Sequence, residues 1–219
     1  MYQNDAQKVL TGEVRLSYCN LIQPRAPLSG QGDPKYSVTI LIPKTDVATK
    51  ADIDASIEAA ARDAVGKLWG GVRPRFDSIV WDGDGTRKNG LPFGSECKGH
   101  WVLTASTKQK PQVVGIDNIN AELAPQDIYS GMYGRVTLRF FGYSQSGNRG
   151  VGCGLGNVLK TREGEPLSGG ASAAADFAGI GNSVVPGAQS TLSPASRCNT
   201  MTERRETVCL NPGAPFFRR

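Results

Sequence analysis

From Tyr129 to Val158 the chain reads YSGMYGRVTLRFFGYSQSGNRGVGCGLGNV, and the fold class turns on this stretch. Between Arg135 and Phe141 the residues alternate. Val136, Leu138 and Phe140 share one face, and Arg135, Thr137, Arg139 and Phe141 share the other. A period of two predicts a half-buried β-strand whose apolar face enters a core. The opposite face displays two guanidiniums, a hydroxyl and a ring. Arginines neutralise phosphates and exposed rings stack on bases, so this face suits an unpaired nucleic-acid strand. The alternative is an ordinary solvated polar face. After the strand, Tyr143, Arg149 and a glycine-rich run ending at Gly156 predict a mobile loop that can approach a backbone closely. Gly150, Gly152, Gly154 and Gly156 imitate a dinucleotide fingerprint, but no helix pattern follows them and no cofactor loop is expected.

A chain of 219 residues can hold one domain with a real core plus an appended tail. Its 27 glycines, 13 prolines and few aromatics favour a turn-rich, mainly β domain over a helical bundle. The formal charge of +5 is unevenly placed. Arg197, Arg204, Arg205, Arg218 and Arg219 stand against two glutamates in the last 39 residues, leaving the first 180 with 20 basic and 18 acidic side chains. A nucleic-acid surface on the body must therefore come from local clustering of charge. Five scattered cysteines without a CxxC pair and a single histidine, His100, argue against zinc, and no cofactor is expected. The polar opening Met1 to Lys8 has no signal-peptide core, and no apolar run of roughly 18 residues could span a bilayer. The expectation is a cytoplasmic protein with reduced thiols and no membrane partner.

Further strands are predicted at Glu13 to Asn20, Lys35 to Pro43, His100 to Ser106, Val113 to Ile116 and Val151 to Leu159. Tyr18 and Tyr36 fall on the apolar faces of the first two and are assigned to packing. A helix is predicted from Thr49, with Asp52 completing a capping box. Ile53, Ile57, Ala60, Ala64 and Leu68 form its buried stripe, and Gly70-Gly71 stops it. Trp69 joins that packing. Asp82-Gly-Asp-Gly85 reads as a turn, since the later ligands of a calcium loop are missing. Lys108 and Lys110 sit in a basic turn suited to phosphate contact. From Ser168 onward the composition collapses to Gly, Ala and Ser, then to a basic Ser/Thr/Pro-rich end, and predicts a disordered tail.

The pieces KYSVTILIPK (Lys35 to Lys44), WDGDG (Trp81 to Gly85), WVLTASTKQKP (Trp101 to Pro111), IYSGMYGRVTLRFFGY (Ile128 to Tyr143) and GVGCGLGNVLKTREGEPL (Gly150 to Leu167) stand in an order that resembles a family of phage and prophage proteins. That family was long classed as a domain of unknown function, and its characterised members bind single-stranded DNA. The resemblance spans roughly residues 8 to 177. It implies an oligonucleotide/oligosaccharide-binding (OB) fold, a small β-barrel with one packed helix and long loops over residues 8–167, ahead of the flexible tail that composition predicts over 168–219. It also implies a protein of the bacterial host cytoplasm that works in DNA replication, recombination or repair. Single-stranded DNA is then its partner, with phage or host replication proteins and a second copy of the chain as further candidates. One departure concerns the end of the chain. Such proteins commonly finish in an acidic tail with a terminal aromatic, whereas here Asp176-Phe177 precede a basic end.

The expected mechanism is a groove across the barrel. In it Arg135, Arg139, Arg149, Lys108, Lys110 and Arg75 contact phosphates, while Phe141, Tyr143, Trp101 and Trp81 stack bases. Two other classes stay open on the residues alone. One is a metal-dependent nuclease using Asp82 and Asp84 with Asp77 or Asp117 nearby. The other is a structural or assembly protein whose glycine-rich loops make subunit contacts.

Overall fold

The structure, a computed structural model, describes residues 2–27, 32–145 and 147–167. The predicted tail, 168–219, lies outside the described residues. Among the described residues, nine strands and one α-helix follow in the order β1 (Lys8–Leu10), β2 (Val14–Arg25), β3 (Lys35–Pro43), α1 (Val47–Lys67), β4 (Val80–Asp82), β5 (His100–Thr107), β6 (Val113–Gly115), β7 (Asn118–Glu122), β8 (Tyr133–Gln145) and β9 (Asn148–Arg162). Antiparallel pairings join β2 to β3, β3 to β5 and β8 to β9. A parallel contact of Ser106 with Gly154 joins β5 to β9, and the short pairing of Val14 with Gly134 and Arg15 with Tyr133 joins β8 back to β2. Five strands thus close a partly open ring of OB type, in which β2, β3, β5, β8 and β9 are the first to fifth strands. β1 edges β8, β4 is added to β5, and the β6–β7 hairpin extends β9.

Val14, Leu16, Val38, Ile40, Leu103, Val136, Leu138 and Phe140 fill the ring from its strands, as their alternation predicts. The helix closes one side with Ile53, Ala60, Ala61 and Ala64. Its N-cap is Asp46, whose carboxylate accepts the Thr49 N–H at 3.0 Å. The predicted cap, Thr49, is buried, and its hydroxyl accepts the Gly12 N–H at 2.8 Å, tying the helix to the turn before β2. Gly70 and Gly71 stop the helix with φ of +67° and +84°. Leu68 is exposed, and Trp69 takes the buried place beside it. The Trp69 indole N–H donates to the Tyr143 carbonyl at 3.0 Å, and Ala64 lies against Gly142, where an added Cβ would come 2.2 Å from the Ala64 Cβ. Helix and β8–β9 hairpin are thereby fixed to each other.

Three further points depart from the sequence reading. The glycine-rich run after Phe141 is not a loop but the arms of a long hairpin, with Tyr143 opposite Gly150, Phe141 opposite Gly152 and Arg139 opposite Gly154. The glycines share the side of β9 on which these side chains lie. A Cβ at Gly152 would come 2.9 Å from the Phe141 ring, and one at Gly150 would come 3.0 Å from the Tyr143 hydroxyl. Second, Tyr18 is not packed inside. The pairing of β2 with β3 shifts register between Ser17 and Asn20, Tyr18 takes φ +48°, and the residue is 56% exposed. Cys19 packs against the core instead, and burial pushes its thiol up to about 12. Third, β1 and β7 carry no period long enough to show in the sequence, and both are strands.

Candidate nucleic-acid interface

The outward side of the β3–β5 sheet is low and hydroxyl-rich. Ser17 pairs with Thr39 across β2 and β3, Thr39 with Thr104 across β3 and β5, and Ser37 with Ser106 one step further along. The Thr39 and Thr104 hydroxyls are 3.3 Å apart. Leu41 and Val102, next on the same side, are covered by β4 and the segment that joins it to β5, where Trp81, Phe93 and Cys97 pack against them. That small outer core raises a wall beside the floor. The hairpin tip raises the facing one, because β8 and β9 run on past the ring to Gln145 and Asn148.

Between the walls lies a cleft of about 800 Å³. Arg75, Phe76, Asp77 and Ile79 line one side with Trp81 and Lys88, Tyr143, Arg149 and Asn148 line the other, and Thr104 lies between. Tyr143 is 39% exposed. A second hollow of about 310 Å³ shares Trp81, Lys88 and Thr104 with the cleft and continues it over Thr39 to Tyr18, Phe93 and Arg87. Cations rest on the rings here. The Lys88 ammonium stands 5.9 Å from the centre of Trp81, and the Arg87 guanidinium 5.2 Å from that of Phe93. Lys88 also pairs with Asp77, and this hydrogen bond holds the Asp77 carboxyl below the usual carboxylate range. Both partners are exposed, so the pair is weak and open to exchange for another anion.

Of the ten residues expected to contact a strand, the structure brings Arg75, Trp81, Tyr143 and Arg149 together in the cleft. Arg139 and Phe141 lie in a separate hollow of about 420 Å³ on the outer side of β8 and β9, with Lys8, Tyr2 and Gly154. Arg135 is exposed further along β8, near Glu13. Lys108 follows the Ser106 end of the floor and pairs with Asp33 at 2.5 Å, and Lys110 pairs with Glu122 of β7 at 2.9 Å. Trp101 is set apart. It packs partly against the core, and the Lys44 and Lys50 ammoniums cap it at 5.1 and 5.0 Å from the ring centre. The groove thus gathers four of the ten, and adds Lys88, Arg87, Phe93, Tyr18 and the hydroxyl floor. A ring or cation in a polar connection gives no sequence signal of where the chain will fold it. Tyr18 was hidden by the register shift.

The Asp82–Asp84 pair is already occupied by a cation. Lys44 Nζ lies 2.6 Å from Asp82 and 2.7 Å from Asp84, and both carboxyls are held low by it. Among the described residues, no three His, Cys, Asp or Glu side chains converge as metal ligands. No helix among them is long and apolar enough to cross a membrane.

Known proteins share this architecture. The chain is 32% identical over 181 residues to protein p50 of Acyrthosiphon pisum secondary endosymbiont phage 1, covering 77% of this chain and 91% of p50. Among solved structures, the single-stranded DNA-binding protein of bacteriophage Enc34 in complex with ssDNA superposes with a TM-score of 0.63 at 26% identity, covering 75% of this chain and 91% of that one. Protein gp2.5 of bacteriophage T7, also a single-stranded DNA-binding protein, shares the fold at a TM-score of 0.51 and 17% identity over 77% of this chain and 93% of its own. The family model described as the ssDNA-binding protein of Enterobacter phage Enc34 matches residues 7–185, and the chain belongs to that family.

Proposed function

We propose that the chain binds single-stranded DNA without reading its sequence, in the cleft over the β3–β5 sheet, and serves phage DNA replication, recombination or repair as a non-enzymatic binder. The observation that carries this reading is the cleft itself. Trp81 and Tyr143 on facing walls, with Arg75, Lys88 and Arg149 beside them, flank Thr104 of β5, and the adjoining hollow carries the groove on over Thr39 of β3. An OB barrel presents its second and third strands to an oligonucleotide, beside the loop that joins its fourth and fifth, and β3, β5 and the β8–β9 tip are those parts here. Rings accept any base because every base has a π-face, and the cations follow the phosphates. That the Enc34 protein was solved with ssDNA supports single-stranded DNA as the ligand.

Binding begins with exchange. A phosphate takes the Lys88 ammonium from Asp77, which also uncovers the Trp81 ring for a base. The test is a fluorescence titration of the full chain with a single-stranded 30-mer and its duplex, repeated from low to moderate salt. The expected result is tight, salt-sensitive binding to the single strand and weak binding to the duplex. A triple replacement of Arg75, Lys88 and Arg149 by Ala should lower affinity about a hundredfold and flatten the log–log salt slope by about 2, at about 0.7 per lost phosphate contact. A stable oligomer with no affinity for single strands would instead favour a structural or assembly role.

A further inference from the structure

We propose that the hollow between Tyr18, Trp81 and Phe93 is a base slot, in which one nucleobase of the strand lying in the cleft stacks on the Tyr18 ring. This rests on the single-stranded DNA reading of the cleft and adds a specific subsite to it. The first observation is backbone geometry. Val14 and Leu16 are fully buried, and continued alternation would place Tyr18 in the core after them. Instead β2 shifts register between Ser17 and Asn20. Tyr18 adopts φ +48°, a conformation unfavourable for a bulky side chain, and its ring turns outward.

The second observation is what the ring faces. Ser17, Thr39, Thr104 and Val102 lie with it around a hollow of about 310 Å³, Trp81 and Phe93 supply its other aromatic side chains, and Arg87 and Lys88 bring charge to it. A planar aromatic heterocycle with polar edges on an anionic backbone fits this set: rings for its face, hydroxyls near its edge and cations for its flanking phosphates. The third observation is continuity. Trp81, Lys88 and Thr104 belong to both hollows, so a strand in the cleft reaches Tyr18 without leaving the surface.

Tyr18→Gly tests this in the full chain, because glycine accepts the left-handed conformation while the ring is lost. The expected variant unfolds at a denaturant midpoint no lower than that of the wild type. It binds oligothymidylate about five- to 150-fold more weakly, the range for losing one stacked base. Its salt slope is unchanged, since no phosphate contact is removed. Tyr18→Phe keeps the wild-type affinity. In the wild type, irradiating a bound oligonucleotide containing 5-iodouracil should attach it to the peptide that contains Tyr18. Wild-type affinity in Tyr18→Gly, or cross-links confined to other peptides, overturns the slot. If the Arg75/Lys88/Arg149 variant has meanwhile lost binding, the cleft reading stands without the slot. If that variant also binds like the wild type, both fall.

Discussion

Two outward surfaces of the barrel carry arginine beside aromatic rings, and they differ in shape more than in composition. On the outer side of β8 and β9, Phe141 is 45% exposed and lies over Gly152 and Gly154, with Arg139 near it. On the β3–β5 side, Trp81 and Tyr143 stand on opposite walls with cations along both. Phe141 and Tyr143 are two residues apart on one strand and each covers a glycine of the next. Only Tyr143 looks across at a facing wall. A ring on an open sheet offers a base one face and leaves the rest in water. A cleft removes more of the base from water and sets cations where its phosphates must pass. Arginine and aromatic content therefore does not identify the interface. The facing wall does, and here it is made by a connection between strands.

The largest contrast should come from removing charge. The cleft variant Arg75→Ala/Lys88→Ala/Arg149→Ala is expected to lose about a hundredfold in affinity. Arg135→Ala/Arg139→Ala/Phe141→Ala should change it a few-fold at most, because charges beyond about 10 Å are screened at 0.1 M salt. Equal losses would mean that the strand wraps from the cleft onto the outer hairpin face. Single rings refine the same contrast. Tyr143→Ala should weaken binding by about 1–3 kcal/mol, and Phe141→Ala should leave it within about twofold, both read by titration at one fixed salt.

A third comparison sets the two glycine environments of the hairpin against each other. A methyl at Gly142 would meet Ala64 Cβ at 2.2 Å, between a strand and a helix already fixed by the Trp69–Tyr143 hydrogen bond. Neither side can yield easily, so Gly142→Ala is expected to cost about 1–3 kcal/mol of stability. At Gly152 the nearest atoms are the far end of the Phe141 ring, at 2.9 Å. That ring can swing toward solvent, so Gly152→Ala should cost under about 1 kcal/mol. Urea denaturation midpoints measure both, with an unchanged m-value confirming that the native ensemble is intact. If Gly152→Ala proved the more damaging, the outer face would be a packed surface awaiting a partner.

Much of the barrel was legible in the sequence because its central strands obey a strict period. Lys35–Pro43 carries Val38, Ile40 and Ile42 inward, and the strand through Arg135 to Phe141 does the same with Val136, Leu138 and Phe140. Where a strand breaks that period, the sequence misleads. In β9 the glycines erase alternation on one side because the rings of β8 occupy the space their side chains would need. In β2 one shifted register inverts the parity, so Tyr18 changed sides. The site was less legible for a related reason. Ser17, Thr39 and Thr104 look like a solvated face until the connection bearing Trp81 and Phe93 folds over beside them. The lysines of the Thr107–Gln112 turn looked like free phosphate ligands, yet Lys108 pairs with Asp33, far away in the chain, and Lys110 with Glu122 of the next hairpin.

The smallest expected effect tests whether such internal partners matter in the cleft. Asp77 is an anion inside a groove proposed for a polyanion, and its hydrogen bond to Lys88 holds its carboxyl below the usual carboxylate range. A phosphate arriving at Lys88 must displace it. Asp77→Asn removes the competitor and leaves the amide able to occupy the same place, so affinity should rise about two- to fivefold at low salt, where like-charge repulsion is least screened. The salt slope should steepen by no more than about 0.7, one phosphate contact, and the gain should fade as salt increases. The corresponding replacement outside the cleft, Glu122→Gln beside Lys110, should change nothing. Weaker binding by Asp77→Asn would show that the carboxylate holds Lys88 in position over Trp81 for the strand, and that the exchange of anions is not part of binding.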